Sequence, residues 1–152
     1  MFIWPVRIYY EDTDSGAVVY YANYLKYMER ARTEWLRQLG FEQDILMQRH
    51  GVVFAVQSAQ LQFLRPARFN ELLYVSAANT RRGGASLTFD QHVVRAPGET
   101  QVRTFLASRQ TQDDNRVEIL CSGVIKVACL KTDGMRPCRI PDQIMTELDS
   151  ER

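Results

Sequence analysis

The sequence predicts an α+β fold in which one long helix lies against a face of an antiparallel sheet. One segment, residues 23–39, has apolar residues at every third or fourth position, as an amphipathic helix requires. From residue 52 onward the chain instead alternates and is rich in the β-branched and aromatic residues typical of strands. The turns between these strands are short, so neighbouring strands are expected to run antiparallel.

The first predicted element is a strand at residues 4–10, where Val6, Ile8 and Tyr10 alternate with Arg7 and Tyr9. The strand runs directly into a polar, acidic turn of sequence EDTDSG at residues 11–16. Turn chemistry of this kind ends a strand and reverses the chain.

The long helix is predicted at residues 23–39. The residues that share its apolar side are Tyr24, Met28, Ala31, Trp35 and Leu39. Charged residues take the opposite side, and Gly40 stands where a left-handed C-terminal cap is expected.

Five further strands are predicted at residues 52–63, 72–80, 85–95, 100–112 and 117–130. The tail after residue 131 is expected to be peripheral, with a short polar helical turn at 143–148, and the chain at 1–152 is expected to be one domain. A single helix covers only one face of the sheet. We therefore expect a second copy to cover the other face, as a dimer or tetramer.

Composition excludes several classes of protein. Nineteen Lys and Arg against 18 Asp and Glu give a formal charge of +1, which lacks the basic excess of a general nucleic-acid binder. No apolar run approaches the length of about 18 residues that a membrane span needs. The three cysteines form no C-x-x-C pair, and residues 1–7 do not resemble a secretory signal. We expect a cytoplasmic protein with reduced thiols.

Common catalytic motifs are absent from the sequence. It contains no G-x-S-x-G elbow, no phosphate-binding loop and no G-x-G-x-x-G fingerprint. His50 and His92 are too far apart to form a metal-binding pattern, and both are interpreted as structural or solvated. We expect neither a metal nor another cofactor.

The acidic turn is the best candidate for a chemical site. Glu11, Asp12 and Asp14 stand just before the long helix, whose N-terminus carries unpaired N–H groups and a partial positive charge. Such N–H groups can polarise a carbonyl while a neighbouring carboxylate attacks it or activates water. Taken alone, an acidic turn is more often a solvated loop or a set of capping groups, and its place before the helix is what favours a chemical role.

The same segment resembles the opening of the 4-hydroxybenzoyl-CoA thioesterase family. The resemblance rests on VRIYYEDTD at residues 6–14, VVYYANY at 18–24 and MERARTEW at 28–35, and continues more loosely through Pro66, Ala67 and Arg68. It is closest to the branch of Tol-Pal-associated acyl-CoA thioesterases. It implies a hotdog fold, an acyl-CoA substrate, sites formed between subunits and an association with envelope machinery.

Carried over by position, the resemblance implies that Asp14 is the catalytic carboxylate and that Asp12 is structural. It also implies that the backbone N–H of Tyr21 polarises the carbonyl. The sequence departs from the branch at Ala17, where a second glycine is usual, and at Tyr21, where histidine is usual. The donor N–H does not depend on side-chain type.

Other residues are weaker candidates. Arg81 and Arg82, at a strand turn, could hold a CoA phosphate, although an arginine pair at a turn is more often solvated. The tyrosines Tyr20, Tyr24 and Tyr27 could line an acyl pocket, although aromatic residues at helical spacing are usually core. Glu29, on the helix beside two arginines, is interpreted as a surface salt-bridge residue.

The leading hypothesis is therefore an acyl-CoA thioesterase acting through Asp14. Two alternatives stay open. One is a hotdog dehydratase or hydratase, which would pair a histidine with the carboxylate. The other is a non-catalytic acyl-CoA-binding protein. The sequence leaves the acyl group undetermined.

Overall fold

The computed structural model describes residues 1–108 and 114–150, and its centre is a five-stranded antiparallel sheet. The strands are β1 (Phe2–Arg7), β2 (Val52–Phe63), β3 (Leu72–Arg82), β4 (Ser86–Arg95) and β5 (Glu118–Lys131). Their order across the sheet is β1-β3-β4-β5-β2, so β1 and β2 are the two edge strands. The predicted α+β class is confirmed.

The helices are α1 (Asn23–Gln38), α2 (Gln43–His50), α3 (Glu99–Ala107) and α4 (Asp142–Ser150). The predicted long helix is α1, and Gly40 just beyond it has the expected positive φ of 99°. Within residues 1–108 and 114–150, none of the helices combines the length and apolar character needed to cross a membrane.

The apolar side of α1 packs against the inner face of the sheet. Trp35 meets Phe89 of β4 edge to face, with ring centroids 5.0 Å apart. Met28 is fully buried over β5, where a Cβ on Gly123 would lie only 3.1 Å from its Sδ. Gly123 therefore permits the close approach of helix and sheet.

The strand predicted at residues 100–112 is wrong. The chain forms α3 over residues 99–107 instead, and residues 109–112 of that prediction lie outside the described part of the chain. Val102, Phe105 and Leu106 have helical i, i+3, i+4 spacing, which outweighs the local alternation. Val102 is fully buried in a second cluster with Ile3 and Val94, so α3 covers part of the outer face of the sheet.

Two further segments add helices to the fold. The stretch after Gly40 contains α2, which ends at Gly51 in the left-handed conformation with φ 63°. The tail is not peripheral over its whole length, because Ile144 of α4 and the preceding Ile140 are fully buried in the main core. The expected polar helical turn is an amphipathic helix.

Candidate active site

The acidic turn folds into a short 3-10 turn, residues 10–12, followed by a tight loop that closes where Thr13 pairs with Val19. Asp12 fixes this arrangement at both ends. Its Oδ2 accepts the Tyr9 N–H at 2.7 Å, and its carbonyl accepts the Tyr20 N–H at 3.0 Å and Asn23 Nδ2 at 2.8 Å. Asp12 thus ties the loop to the first residue of α1.

Asp14 lies at the exposed tip of the loop. Its Oδ1 accepts the Gly16 N–H at 2.8 Å, and its own N–H donates to the Val18 carbonyl at 2.9 Å. In the described part of the chain no cation pairs with this carboxylate, and its Oδ2 makes no protein hydrogen bond. A carboxylate held by one oxygen and open at the other is available to a substrate or a water molecule.

Gly16 and Ala17 shape the turn around Asp14. A Cβ on Gly16 would stand 3.2 Å from Asp14 Oδ1, closer than an ordinary van der Waals contact. Ala17, where the resemblance leads one to expect glycine, has a left-handed φ of 62°. The turn keeps the conformation suited to glycine at a position occupied by alanine.

The entrance to α1 leaves two N–H groups open. The N–H groups of Asn23, Tyr24 and Leu25 donate to the carbonyls three residues before them, at 2.9, 3.3 and 3.2 Å. Those of Tyr21 and Ala22 have no acceptor among residues 1–108 and 114–150. Unpaired donors at a helix entrance can stabilise negative charge that develops on a carbonyl oxygen.

Aromatic side chains surround this entrance. The exposed Tyr21 ring lies 4.8 Å from Tyr20 and meets Phe63 edge to face at 5.9 Å, measured between centroids. Phe63, at the end of β2, was not selected from the sequence. Its 51% exposure at the end of a strand marks it as part of this surface, but exposure cannot be read from sequence alone.

Tyr24 and Tyr27 belong to the core and do not form an open pocket. Tyr24 is only 3% exposed, and its hydroxyl accepts the buried Ala67 N–H at 3.0 Å. The Tyr27 hydroxyl is buried without a hydrogen-bond partner in the described residues. Burial, and secondarily the nearby Asp12 carboxylate, raise the pKa of Tyr27.

The loop at residues 64–71 supports the turn from beneath. The Ala67 carbonyl accepts the Val19 N–H at 2.8 Å, and Val18 forms a bridge with Arg68. Arg95 of β4 holds this loop through Glu71 at 2.5 Å and the Pro66 carbonyl at 3.0 Å. The hydrogen bonding of Arg95 to the Glu71 carboxylate is the main cause that lowers the pKa of Glu71.

Arg81 and Arg82 lie away from Asp14 within one subunit. Leu72, at the start of β3, pairs with Arg7 beside the acidic turn. Arg81 is nine residues further along, about 30 Å at about 3.3 Å per residue. Arg82 is engaged with Asp149 of α4 at 2.6 Å and its side chain is 15% exposed, so the two arginines are not an equivalent pair.

Two other predictions about charged residues have different outcomes. The salt-bridge interpretation of Glu29 is wrong, because its carboxylate accepts the Thr33 hydroxyl at 2.9 Å and takes part in no ion pair among the described residues. His92, interpreted as structural, has its Nδ1 2.9 Å from Ser122 Oγ on β5. Burial lowers the pKa of His92, which favours the neutral ring.

Comparisons with known proteins find relatives that cover most of the chain. Residues 16–102 match the thioesterase superfamily. The chain is 38% identical over 147 residues to the acyl-CoA thioester hydrolase YbgC of Escherichia coli O6:H1, covering 97% of this chain and 95% of that protein. A probable thioesterase structure from Bartonella henselae is 27% identical with a TM-score of 0.73, over 91% of this chain and 98% of that one.

A structure of 4-hydroxybenzoyl CoA thioesterase shares the fold at 15% identity, with a TM-score of 0.77 over 95% of this chain and 96% of that one. The expected hotdog fold is confirmed.

Proposed function

This chain belongs to the thioesterase superfamily, and on that premise we propose that it hydrolyses acyl-CoA thioesters at Asp14. It is a thioester hydrolase, and the proposal concerns the residues that carry out the reaction. The observation that carries it is the Asp14 carboxylate, held by the Gly16 N–H in a loop that Asp12 ties to the start of α1, where two N–H donors are open.

The chemistry needs few groups. The leaving thiol of a thioester has a pKa of about 8.5, so it departs as a thiolate without a dedicated general acid. In the proposed reaction, Asp14 either attacks the carbonyl carbon and displaces the thiolate, giving a mixed anhydride that water then hydrolyses, or takes a proton from a water that attacks the carbon directly. In both routes the carbonyl oxygen accepts the Tyr21 N–H. Asp12 orients the turn through its hydrogen bonds to Tyr9 and to the start of α1.

A pair of isosteric variants tests the role of Asp14. Asp14→Asn should lower turnover on the order of a hundredfold or more, because the amide is neither a nucleophile nor a base. Asp12→Asn should cost much less turnover. Thiol release from a panel of acyl-CoA substrates is the measurement. Equal losses of turnover in the two variants, or an active Asp14→Asn protein, would contradict the assignment of Asp14. If the native protein bound acyl-CoA without hydrolysing it, it would be an acyl-CoA-binding protein instead.

Two variants of Tyr21 separate its backbone from its side chain. Tyr21→Phe removes only the hydroxyl and should have a small effect on turnover. Tyr21→Pro removes the N–H, and losing one oxyanion donor costs roughly 3 to 4 kcal/mol of transition-state stabilisation. Circular dichroism and the mass of the assembly serve as the folding controls. A folded Tyr21→Pro protein with near-normal turnover would exclude this donor.

We further propose that the protein works as a homo-oligomer, a dimer or tetramer. Edge strand β2 supports this, because residues 56–60 are exposed and the strand presents twelve residues of backbone for pairing. The opposite edge strand, β1, contains Pro5, which has no N–H to donate. Light scattering at micromolar concentration should give a dimer or a larger assembly, whereas a fully active monomer would contradict the proposal.

Arg81 remains the better candidate of the arginine pair for a CoA phosphate, and in an oligomer it would serve a substrate bound at another copy. Changing Arg81 and Arg82 to Ala together should raise KM for acyl-CoA far more than for a truncated thioester without the nucleotide. Arg82→Ala alone is the control, because it removes mainly the contact with Asp149. Equal effects on both substrates would contradict a role in CoA binding.

The cellular setting is also part of the proposal. The free cysteines Cys121, Cys129 and Cys138 support a cytoplasmic location. The resemblance to the Tol-Pal-associated branch supports a peripheral association with envelope machinery. Fractionation of cells should recover the protein in the cytoplasm, with a minor share on the inner membrane. Recovery from the periplasm would contradict the location.

A further inference from the structure

A recess lies between α1 and the inner face of the sheet, away from the acidic turn. We call it the Arg32 groove, and its principal lining residues are Arg32, Trp35, Phe54, Val56, Leu87 and Phe89. Its volume is about 90 Å³. Arg32 follows the first residue of α1 by nine positions, about 14 Å along a helix at about 1.5 Å per residue. The groove is therefore distinct from the helix entrance.

Arg32 brings a positive charge into this apolar recess. Its Nη1 donates to Gln91 Oε1 at 2.9 Å, and this is its only hydrogen bond with the described residues. Glu29 is the acid that acts on its charge, and the two side chains form no ion pair among the described residues. Burial is the main cause that lowers the pKa of Arg32, with Glu29 acting in the opposite direction. Its remaining N–H donors are without acceptors in the described protein.

Gln91 holds the guanidinium in place. It is fully buried on β4, and its Nε2 donates to the carbonyls of Met28, at 3.0 Å, and Ser76, at 3.3 Å. Both hydrogens of the amide are thus used, which fixes the direction of Oε1 toward Arg32. The arginine is positioned by a buried amide and is not a side chain that has merely folded back on the surface.

Partial burial of the Arg32 guanidinium with a single neutral partner costs desolvation free energy. Pairing with an anion would offset that cost. We propose that the Arg32 groove binds a short aliphatic monocarboxylate. The carboxylate would pair with the free N–H groups of Arg32, and the chain would lie against Phe54, Leu87 and Phe89. The volume of about 90 Å³ corresponds to about three groups of the size of a water molecule, at about 30 Å³ each. It therefore favours an alkyl chain of about three carbons beyond the carboxylate, as in butyrate.

The free acid released by hydrolysis of a short acyl-CoA is one member of this ligand class. The Arg32 groove does not include Asp14, so the proposal of a carboxylate site can be tested separately from the proposed catalytic mechanism.

Trp35 in the groove provides the measurement. The chain has two tryptophans, so Trp4→Phe leaves Trp35 as the only one. Sodium butyrate, titrated at pH 7 and constant ionic strength, should change Trp35 fluorescence saturably, with a dissociation constant on the order of 1 mM. Butylamine should give no saturable change, and octanoate should bind at least tenfold more weakly than butyrate.

Two neighbouring arginines give a matched comparison. Arg32→Gln should weaken butyrate binding at least tenfold, whereas Arg30→Gln, the same change of charge two residues away, should leave it unchanged. Arg30 instead lies over the Tyr27 ring, 5.9 Å from its centroid. Glu29→Gln should tighten binding severalfold, because it removes a like charge at the mouth of the groove. Asp14→Asn should bind butyrate normally even if its turnover is lost.

The proposal is overturned if butyrate gives no saturable response up to about 50 mM. It is equally overturned if butylamine matches butyrate, or if Arg30→Gln weakens binding as much as Arg32→Gln. If Arg32→Gln fails to fold, the comparison of butyrate, butylamine and octanoate in the Trp4→Phe protein decides the question.

Discussion

Replacing Ala17 by glycine should stabilise the protein, because Ala17 occupies a left-handed backbone conformation with φ 62°. The side chain is exposed, so its removal sacrifices no packing in this subunit. The Ala17 N–H donates to the Asp14 carbonyl at 3.0 Å, and glycine keeps that hydrogen bond. The substitution therefore isolates the conformational cost of the turn.

The magnitude follows from two opposing contributions. A left-handed conformation costs an ordinary L-residue about 1–2 kcal/mol, which glycine avoids. Glycine has more freedom in the unfolded chain, and ordering it costs about 0.4–1 kcal/mol more than ordering alanine. Ala17→Gly should thus raise the free energy of unfolding by about 0.5–1 kcal/mol. For a chain of this length that corresponds to an increase in Tm of about 1–4 °C.

Urea unfolding at 25 °C, with both proteins at the same concentration, measures this difference. Gly40→Ala is the mirror control: its φ is 99° and a Cβ there would meet nothing within 4 Å, so it should destabilise for the same conformational reason. If Gly40→Ala destabilises as expected but Ala17→Gly is neutral or destabilising, the reasoning about strain in the turn is refuted.

Further variants test the surroundings of the site. Gly16→Ala should lower turnover severalfold, because the added Cβ would stand 3.2 Å from Asp14 Oδ1, and circular dichroism should show an intact fold. Unchanged turnover would show that the Asp14 carboxylate can shift without loss of activity. Tyr24→Phe should lower the free energy of unfolding, measured in urea, by about 1–3 kcal/mol, because it leaves the buried Ala67 N–H without its acceptor. An unchanged free energy would contradict a stabilising role for this hydrogen bond. Glu71→Gln should be less stable than the native protein at pH 7. Because the pKa of Glu71 is lowered in the folded state, the difference in unfolding free energy should shrink as the pH falls below the ordinary carboxyl pKa of 4.5. A difference that persists at the lowest pH would argue against the ion pair as its origin.

Short-range features of this protein were accessible from the sequence. The period of the apolar residues and the glycine cap predicted α1 to within one residue, and alternation predicted β2 with its observed bounds. The acidic turn could be recognised because its residues are close together in the sequence and lie shortly upstream of the helix. The strand predicted from residue 100 onward failed because local alternation competes there with the helical spacing of Val102, Phe105 and Leu106. Burial of Val102 in a cluster with Ile3 and Val94 adds to the preference for the helix.

The sequence by itself determined which residues can carry charge, turn the chain or pack, since those properties depend on neighbours a few positions away. The tertiary structure decided which of these residues meet. Hydrogen bonds join Tyr24 to Ala67, 43 positions away, Arg82 to Asp149, 67 positions away, and Arg32 to Gln91, 59 positions away. The physical reason is that hydrogen bonding and desolvation act over a few ångströms in space. The burial and the hydrogen-bond partner of a polar side chain therefore depend on which residues the packing of sheet and helix places next to it. Those residues have no fixed distance from it in the sequence.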